Sequence, residues 1–301
     1  MNDLPRISCV ILCHNYGRYL DRAISSCLEQ EPGRYVLHEV IVIDDGSTDE
    51  TVEVCRRYED RVRVIRRETK GFGPSLTDAF RLSSGDWVAP LDADDWFHAS
   101  KLRTCADAIT DGRLFIEHWE HVVDAEGRPF LAEPHPGGNT STLLAHREAA
   151  LTLLPVTNEI FFHALREAGH GHALRVPLVY YRLHPLSMTD RHNRGVSQLY
   201  RAEVSAALAR RLRTLTADPP SWTARRDLHR MSRHFRALGA GHLVEAQVQL
   251  GRRRTCLRPL ITMLIDTAGS RRSFAPWVSA LSSALTGRPQ VSISSDQERR
   301  S

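Results

Sequence analysis

No stretch of this chain approaches the run of about eighteen apolar residues that a membrane-spanning helix needs, although 42% of its 301 residues are hydrophobic. Met1 to Arg6 carry no long apolar segment behind basic residues, the mark of a secretory leader, so a cytoplasmic location is expected. The six cysteines (Cys9, Cys13, Cys27, Cys55, Cys105 and Cys256) contain no C-x-x-C pair and fall mostly at apolar positions. That spacing argues against a zinc or dithiol site and reads as reduced core thiols. The first turn lacks a glycine-rich loop bearing Lys or Arg, which argues against nucleotidyl transfer on a phosphate-binding loop. No internal repeat is present.

What is present is an uneven charge distribution. The net charge of +4 divides into 22 Lys+Arg against 29 Asp+Glu in residues 1–195, and 18 against 7 in residues 196–301. The basic half is not interleaved with aromatic residues, so no nucleic-acid partner is expected. The pattern of elements changes at the same place and predicts a domain at 1–195 and a helical, basic extension at 196–301.

Within the first part, strands and helices alternate. Ile7 to Leu12 reads as a strand, followed by a helix with apolar Leu20, Ala23, Ile24, Cys27 and Leu28 at a period of 3.6 residues. Val40–Ile43, Val62–Ile65 and Trp87–Leu91 are the next strands, with helices over Thr51–Tyr58 and Pro74–Leu82 between them. Such alternation implies right-handed crossovers, and hence an α/β fold with a mainly parallel sheet flanked by helices on both faces. Further on, Leu114–Val123 and Phe130–Leu131 read as a hairpin, Thr142–Ala145 as a strand, and Val176–Tyr181 as an extended segment. Helices are expected over Arg147–Leu154 and Glu159–Ala168. From Val196 the sequence is helical, with breaks expected at Asp218–Pro220, at Gly239–Gly241 and around Gly269–Ser273.

The chemistry concentrates where strands end. Asp92, Asp94 and Asp95 place three carboxylates in four positions directly after the strand Trp87–Leu91. Their mutual repulsion makes sense chiefly if a cation sits among them. Hard oxygen ligands without nearby cysteine favour Mg2+ or Mn2+, ions that commonly arrive shared with phosphate oxygens. A second strand, Val40–Ile43, ends in Asp44, Asp45, Gly46, Ser47, Thr48 and Asp49. In open α/β sheets ligands bind outside the carboxyl ends of the strands, so the two turns can line one crevice and point to a nucleoside diphosphate.

In this order, the segments Ser8–Tyr16 (SCVILCHNY), Val40–Thr51 (VIVIDDGSTDET), Ser84–Phe97 (SGDWVAPLDADDWF) and Tyr180–Thr189 (YYRLHPLSMT) resemble the inverting family 2 glycosyltransferases of the GT-A fold, over about residues 5–190. The resemblance implies transfer of a sugar from a nucleoside-diphosphate sugar to a hydroxyl acceptor (a polysaccharide, a lipid-linked molecule or a small glycoside), with Mn2+ or Mg2+ as cofactor. It assigns Asp45 to the nucleobase, His14 and Asn15 to the nucleotide, and Asp92 and Asp94 to the ribose and diphosphate side of the donor. Asp94, Asp95 and His184 are the implied metal ligands, Asp95 foremost. Arg182, beside His184, is expected to offset phosphate charge.

Two departures stand out. Counting back from Gly169, the position of the family's aspartate base is occupied by Asn158, which accepts no proton, and the neighbouring Glu159 is the candidate replacement. Asn158 also leaves open a catalytically impaired module that binds a nucleotide sugar and partners another transferase. In Gly71–Asp78, where relatives often carry Arg-Asn, this chain has Thr77 and Asp78.

In the basic tail, Arg252, Arg253 and Arg254 precede Leu257, Leu260, Ile261, Leu264 and Ile265. Two readings stay open. One is a helix lying peripherally on the inner face of an anionic membrane; the other is a helix packed on its own protein with a solvated basic face.

Overall fold

The computed structural model describes residues 4–153, 155, 165–166, 168–184, 194–267 and 280–286. They form two compact units, Met1–Ser187 and Met188–Ser301.

The first unit is built on an eight-stranded sheet in the order β3-β2-β1-β4-β7-β6-β8-β5. Its first half is the parallel sheet that the alternating pattern predicts: β1 (Arg6–Cys13), β2 (Val36–Asp44), β3 (Arg63–Arg66) and β4 (Trp87–Asp92). β1 pairs in parallel with both β2 and β4, and β2 with β3. From Ile7 to Cys13 every residue of β1 is buried, as expected of a central strand covered on both faces. Helices α1 (Gly17–Leu28), α2 (Thr51–Arg56) and α3 (Phe72–Leu82) follow β1, β2 and β3 in turn. α1 turns Leu20, Ala23, Ile24 and Cys27 into the core, where they pack with Cys9, Ile11, Val40, Val42, Ala89 and Leu91.

The second half of the sheet is mixed. β5 (Trp96–Phe97), α4 (Lys101–Asp107), β6 (Phe115–Val123), β7 (Leu143–His146), α5 (Arg147–Thr152) and β8 (Gly171–Arg182) follow in chain order. β7 runs antiparallel between β4 and β6, and β8 lies parallel to β6 and antiparallel to β5. The expected hairpin is a short one, its return closed by bridges Val123–Pro129 and Glu120–His135. The helix expected over Arg147–Leu154 is α5, which runs to Thr152 with Leu153 as its cap; Leu154 lies outside the described residues. That expected over Glu159–Ala168, together with Asn158 and Glu159, lies outside the described residues. All six cysteines are buried and unpaired.

The second unit contains α6 (Arg194–Leu215), α7 (Arg225–Gln249), a 3-10 turn (Arg253–Cys256) and α8 (Leu257–Thr267). The break expected at Gly239–Gly241 does not occur: α7 runs through it. The reason is helix packing. A Cβ at Gly239 would lie 3.0 Å from the Ala202 carbonyl oxygen and 3.2 Å from Ser205 Cβ on α6, so the glycine serves close approach of two helices rather than a turn. The break expected around Gly269–Ser273 lies outside the described residues. Among them, no helix is long and apolar enough to cross a membrane.

Candidate active site

Strand register brings the two acidic turns together. Cys13 pairs with Asp44 and Leu12 with Asp92, so the ends of β2, β1 and β4 form one row, with the His14–Tyr16 turn in the middle. At about 4.8 Å per strand, the outer two turns are about 10 Å apart.

The turns after β1 and β2 are joined by hydrogen bonds. Asn15 adopts a left-handed backbone with φ 58, a conformation that asparagine tolerates better than most residues. Its amide donates to Ser47 Oγ at 2.9 Å, and its Oδ1 accepts from the Thr48 amide at 2.8 Å. Asp49 Oδ2 accepts from the Gly17 amide at 2.8 Å, and Asp49 Oδ1 from the Thr51 amide at 3.1 Å. One carboxylate therefore serves the N-termini of α1 and α2. Burial acts to raise its pKa, but these hydrogen bonds outweigh it and hold the group below the usual carboxylate range. The approach is close: a Cβ on Gly17 would lie 2.6 Å from the Thr51 nitrogen. His14 is exposed. Its Nδ1 lies 2.8 Å from the Asp45 carbonyl oxygen and its Nε2 lies 3.2 Å from Asn15 Nδ2. These contacts fit a ring protonated on Nδ1, leaving Nε2 to accept from Asn15.

The Asp45 carboxylate, expected on the nucleobase side, is engaged by groups of the protein. It is buried and accepts from Arg67 Nε at 2.9 Å, from the Lys70 amide at 3.0 Å and from the Gly71 amide at 2.7 Å. It thus sits at the amino end of α3, where backbone amides lack helical partners and the dipole favours an anion. Burial tends to raise its pKa, and the amides with Arg67 reverse that and lower it. Arg67 also pairs with Asp78 and donates to Ser75 Oγ at 2.7 Å. This accounts for the acid at position 78: one guanidinium neutralises two carboxylates. The local sequence carries no sign of it beyond an arginine directly after β3.

The turn after β4 divides its three carboxylates between two directions. Asp95 points inward and is buried, with Oδ2 accepting from Ser141 Oγ at 2.6 Å and Oδ1 from the Arg182 amide at 2.8 Å. Ser141 is the hub beneath the turn. Its hydroxyl also accepts from the Asp92 amide at 3.1 Å, and its carbonyl accepts from the fully buried Lys101 Nζ at 2.7 Å. Lys101 lies over the Phe97 ring at 3.7 Å, and burial lowers its pKa to about 8. Asp94 faces the crevice, with Oδ2 2.9 Å from His184 Nε2. The Asp92 carboxylate accepts no hydrogen bond within the described residues, and burial together with the charge of Asp94 raises its pKa to about 8.

Of the expected metal ligands Asp94, Asp95 and His184, then, the first and last meet, while the oxygens of Asp95 are engaged in holding the turn. No three His, Cys, Asp or Glu side chains gather as a metal-binding group among the described residues. The donors that meet are the Asp94 carboxylate and the His184 imidazole, with the Asp92 carboxylate two residues before Asp94. That chemistry fits a hard divalent cation that takes its remaining ligands from a diphosphate.

Aromatic rings wall the crevice. His184 packs against Tyr16 and Tyr19 at centroid distances of 5.4 and 5.3 Å. Burial first, and then the charges of Asp94 and Asp92, raise the Tyr16 pKa, which keeps its hydroxyl protonated. Arg182 is buried. Its Nε donates to the Asp94 carbonyl at 2.8 Å, one terminal nitrogen donates to the Ala125 carbonyl at 2.6 Å, and the guanidinium lies over Tyr19 and Trp96. It therefore counters the acidic cluster from behind and ties the 124–127 turn to it. Trp96 stacks on Tyr180 at 4.8 Å, with Arg22 over its other face at 3.5 Å. Tyr16 and Trp96 lie inside the matched segments, which assign them no role, and Tyr19, Lys101 and Ser141 fall outside those segments. The tyrosines follow His14-Asn15 at helical spacing and were in principle legible, whereas Lys101 and Ser141 meet the site only through the fold.

A parallel sheet with its acidic crevice at the switch between parallel and mixed halves defines a GT-A fold. The profile described as Glycosyl transferase family 2 matches residues 8–165, and the chain belongs to that family. An uncharacterized glycosyltransferase of Nostoc sp. is 31% identical over 128 residues, covering 41% of this chain and 39% of that protein. Chondroitin synthase of Escherichia coli is 33% identical over 107 residues, covering 35% of this chain and 15% of the synthase. The chain thus matches well under half the length of these relatives. Among solved structures, S. aureus TarS 1-349 in complex with UDP-GlcNAc superposes with a TM-score of 0.60 over 94% of this chain and 92% of that one, at 16% identity. That likeness shows the shared fold.

Proposed function

We propose that the chain is an inverting glycosyltransferase that moves a sugar from a nucleoside-diphosphate sugar to a hydroxyl acceptor. The observation that carries this reading is the row of turns at the ends of β2, β1 and β4, which sets the Asp94–His184 pair and Asp92 beside the His14–Asn15 turn. His14 and Asn15 would contact the nucleotide. Asp45 would serve the nucleobase through the 67–71 loop, whose amides it holds. Asp94 and His184 would hold Mn2+ or Mg2+, with Asp92 on the donor side of the same turn. Such a cation, when bound, offsets the charge that builds on a departing diphosphate. Asp95 and Arg182 would keep the acidic turn in register. The structural neighbour S. aureus TarS, solved in complex with UDP-GlcNAc, supports a nucleotide-sugar donor.

In the transfer, the acceptor oxygen forms a bond to the anomeric carbon as the bond from that carbon to the diphosphate oxygen breaks. The hydroxyl proton passes to a base on the acceptor side. Glu159 is the proposed base, next to Asn158 at the position of the family's aspartate. The cytoplasm is the proposed location, in keeping with six buried, unpaired thiols.

Asn158 favours a second reading: a module that binds nucleotide sugar without turning it over and serves another transferase. Glu159→Gln separates the two. The enzyme reading predicts a rate loss of about a hundredfold or more with nucleotide affinity retained. Nucleotide binding without turnover in the wild type supports the binding module instead.

A further inference from the structure

Helix α8 is apolar on two sides. Cys256, just before it, and Leu260 and Met263 within it are buried against Val244 and Val248 of α7. The other side carries Leu257 at 67% exposure, Ile261 at 49%, Leu264 at 43% and Ile265 at 59%. Their spacing (i, i+4, i+7, i+8) puts all four on one stripe along the helix. Single exposed leucines are ordinary on a protein surface, but a continuous stripe of four large aliphatic side chains on one short helix marks an interaction surface.

The charge beside the stripe identifies the partner. Arg254 and Arg258 are exposed; Arg258 follows Leu257 directly, and Arg254 lies three residues before it. The one acid between residues 246 and 267 is Asp266. It is turned inward and paired with Arg236. The outward face is therefore aliphatic and cationic with no acid of its own. A second copy docked face to face would bring its own arginines and no acid to pair with them, because the face of each copy carries none. A nucleic acid would meet the arginines but offer nothing to four aliphatic side chains. An anionic bilayer satisfies both, with acyl chains for the stripe and headgroup phosphates for its rim. At eleven residues, α8 is far too short to span a membrane and suited to lying on one.

We infer that the outward face of α8 is a docking surface for an anionic lipid bilayer, with Leu257, Ile261, Leu264 and Ile265 entering the boundary between headgroups and acyl chains and Arg254 and Arg258 meeting lipid phosphates. The inference is independent of the transfer reaction and survives its failure.

The test is co-sedimentation of the full chain with vesicles of phosphatidylcholine alone and of phosphatidylcholine mixed with phosphatidylglycerol. The wild type is expected to pellet with the mixed vesicles, weakly with phosphatidylcholine, and less as salt rises. Ile261→Asn with Ile265→Asn should weaken binding at least tenfold while leaving the circular dichroism spectrum and nucleotide affinity unchanged. Arg254→Gln with Arg258→Gln should cost about fivefold per arginine on the mixed vesicles. Three results overturn the inference: no binding of the wild type to mixed vesicles, unchanged binding of the asparagine variant, or a solution dimer without vesicle binding that the asparagine variant dissolves.

Discussion

Ser141 contacts the acidic turn twice without belonging to any recognisable motif. Its hydroxyl donates to Asp95 and accepts from the Asp92 amide, so it fixes both the side chain and the backbone of the turn. Replacing it with alanine leaves a buried carboxylate oxygen without its donor, which costs about 1–3 kcal/mol. Ser141→Ala is expected to lower stability by that amount in urea unfolding and to weaken cation-dependent nucleotide binding. Unchanged values in both measurements would mean that the hub is incidental. The residue scale is also where the sequence is least informative. Asp92, Asp94 and Asp95 announce themselves as three acids after a strand, but nothing local tells which faces the crevice. That depends on Ser141, 46 residues beyond Asp95, and on Arg182, 87 residues beyond it. Asp45 is the same case. It was legible as an acid at a strand end, whereas its commitment to Arg67 and the start of α3 was not, because those partners are supplied by the next strand and loop.

At the scale of elements, the site is a junction of helix starts. α1 and α2 begin on the two oxygens of Asp49, and α3 begins on the carboxylate of Asp45. The closeness of α1 to the 49–51 turn gives a direct test. In Gly17→Ala the new Cβ would meet the Thr51 nitrogen at 2.6 Å and the Glu50 carbonyl carbon at 2.8 Å, both backbone atoms that cannot swing aside. Overpacking of this kind costs about 1–3 kcal/mol. The variant should show that loss in thermal unfolding and, where still folded, weaker nucleotide binding, since Asn15 must shift with it. The first four strands and their helices were legible because buried runs and 3.6-residue periodicity are local signals. The antiparallel insertion of β7 between β4 and β6 was not, because pairing partners are chosen by long-range contacts. Nor was the continuity of α7 through Gly239, where a residue type that usually breaks helices is used to bring two of them together.

At the scale of the whole molecule, pH acts through groups of opposite tendency. Asp45 and Asp49 have lowered pKa values, so the stability they contribute is present above the unfolded carboxylate value of about 3.9 and is lost as pH falls through the folded one. Glu120 works the other way. It is buried on β6 with Asn139 as its hydrogen-bond partner, and burial raises its pKa to about 7. The native state then holds a proton that the unfolded chain releases near pH 4, so stability from this group falls as pH rises from about 4 to about 7 and is flat above. Glu120→Gln should remove that slope and stabilise the protein at pH 8, by up to about 3 kcal/mol. Parallel stability curves for wild type and variant across that interval would refute the assignment.

In the proposed enzyme the crevice at the ends of β1, β2 and β4 holds a nucleoside diphosphate together with a divalent cation at Asp94 and His184. Calorimetric titration of UDP and GDP into the wild type and Asp94→Asn, with Mn2+ and with chelator, tests this most directly. At least one nucleotide is expected to bind the wild type only when Mn2+ is present, and Asp94→Asn is expected to weaken this binding by tenfold or more. Nucleotide affinity that is the same with Mn2+ and with chelator, or the same in both proteins, would contradict that reading.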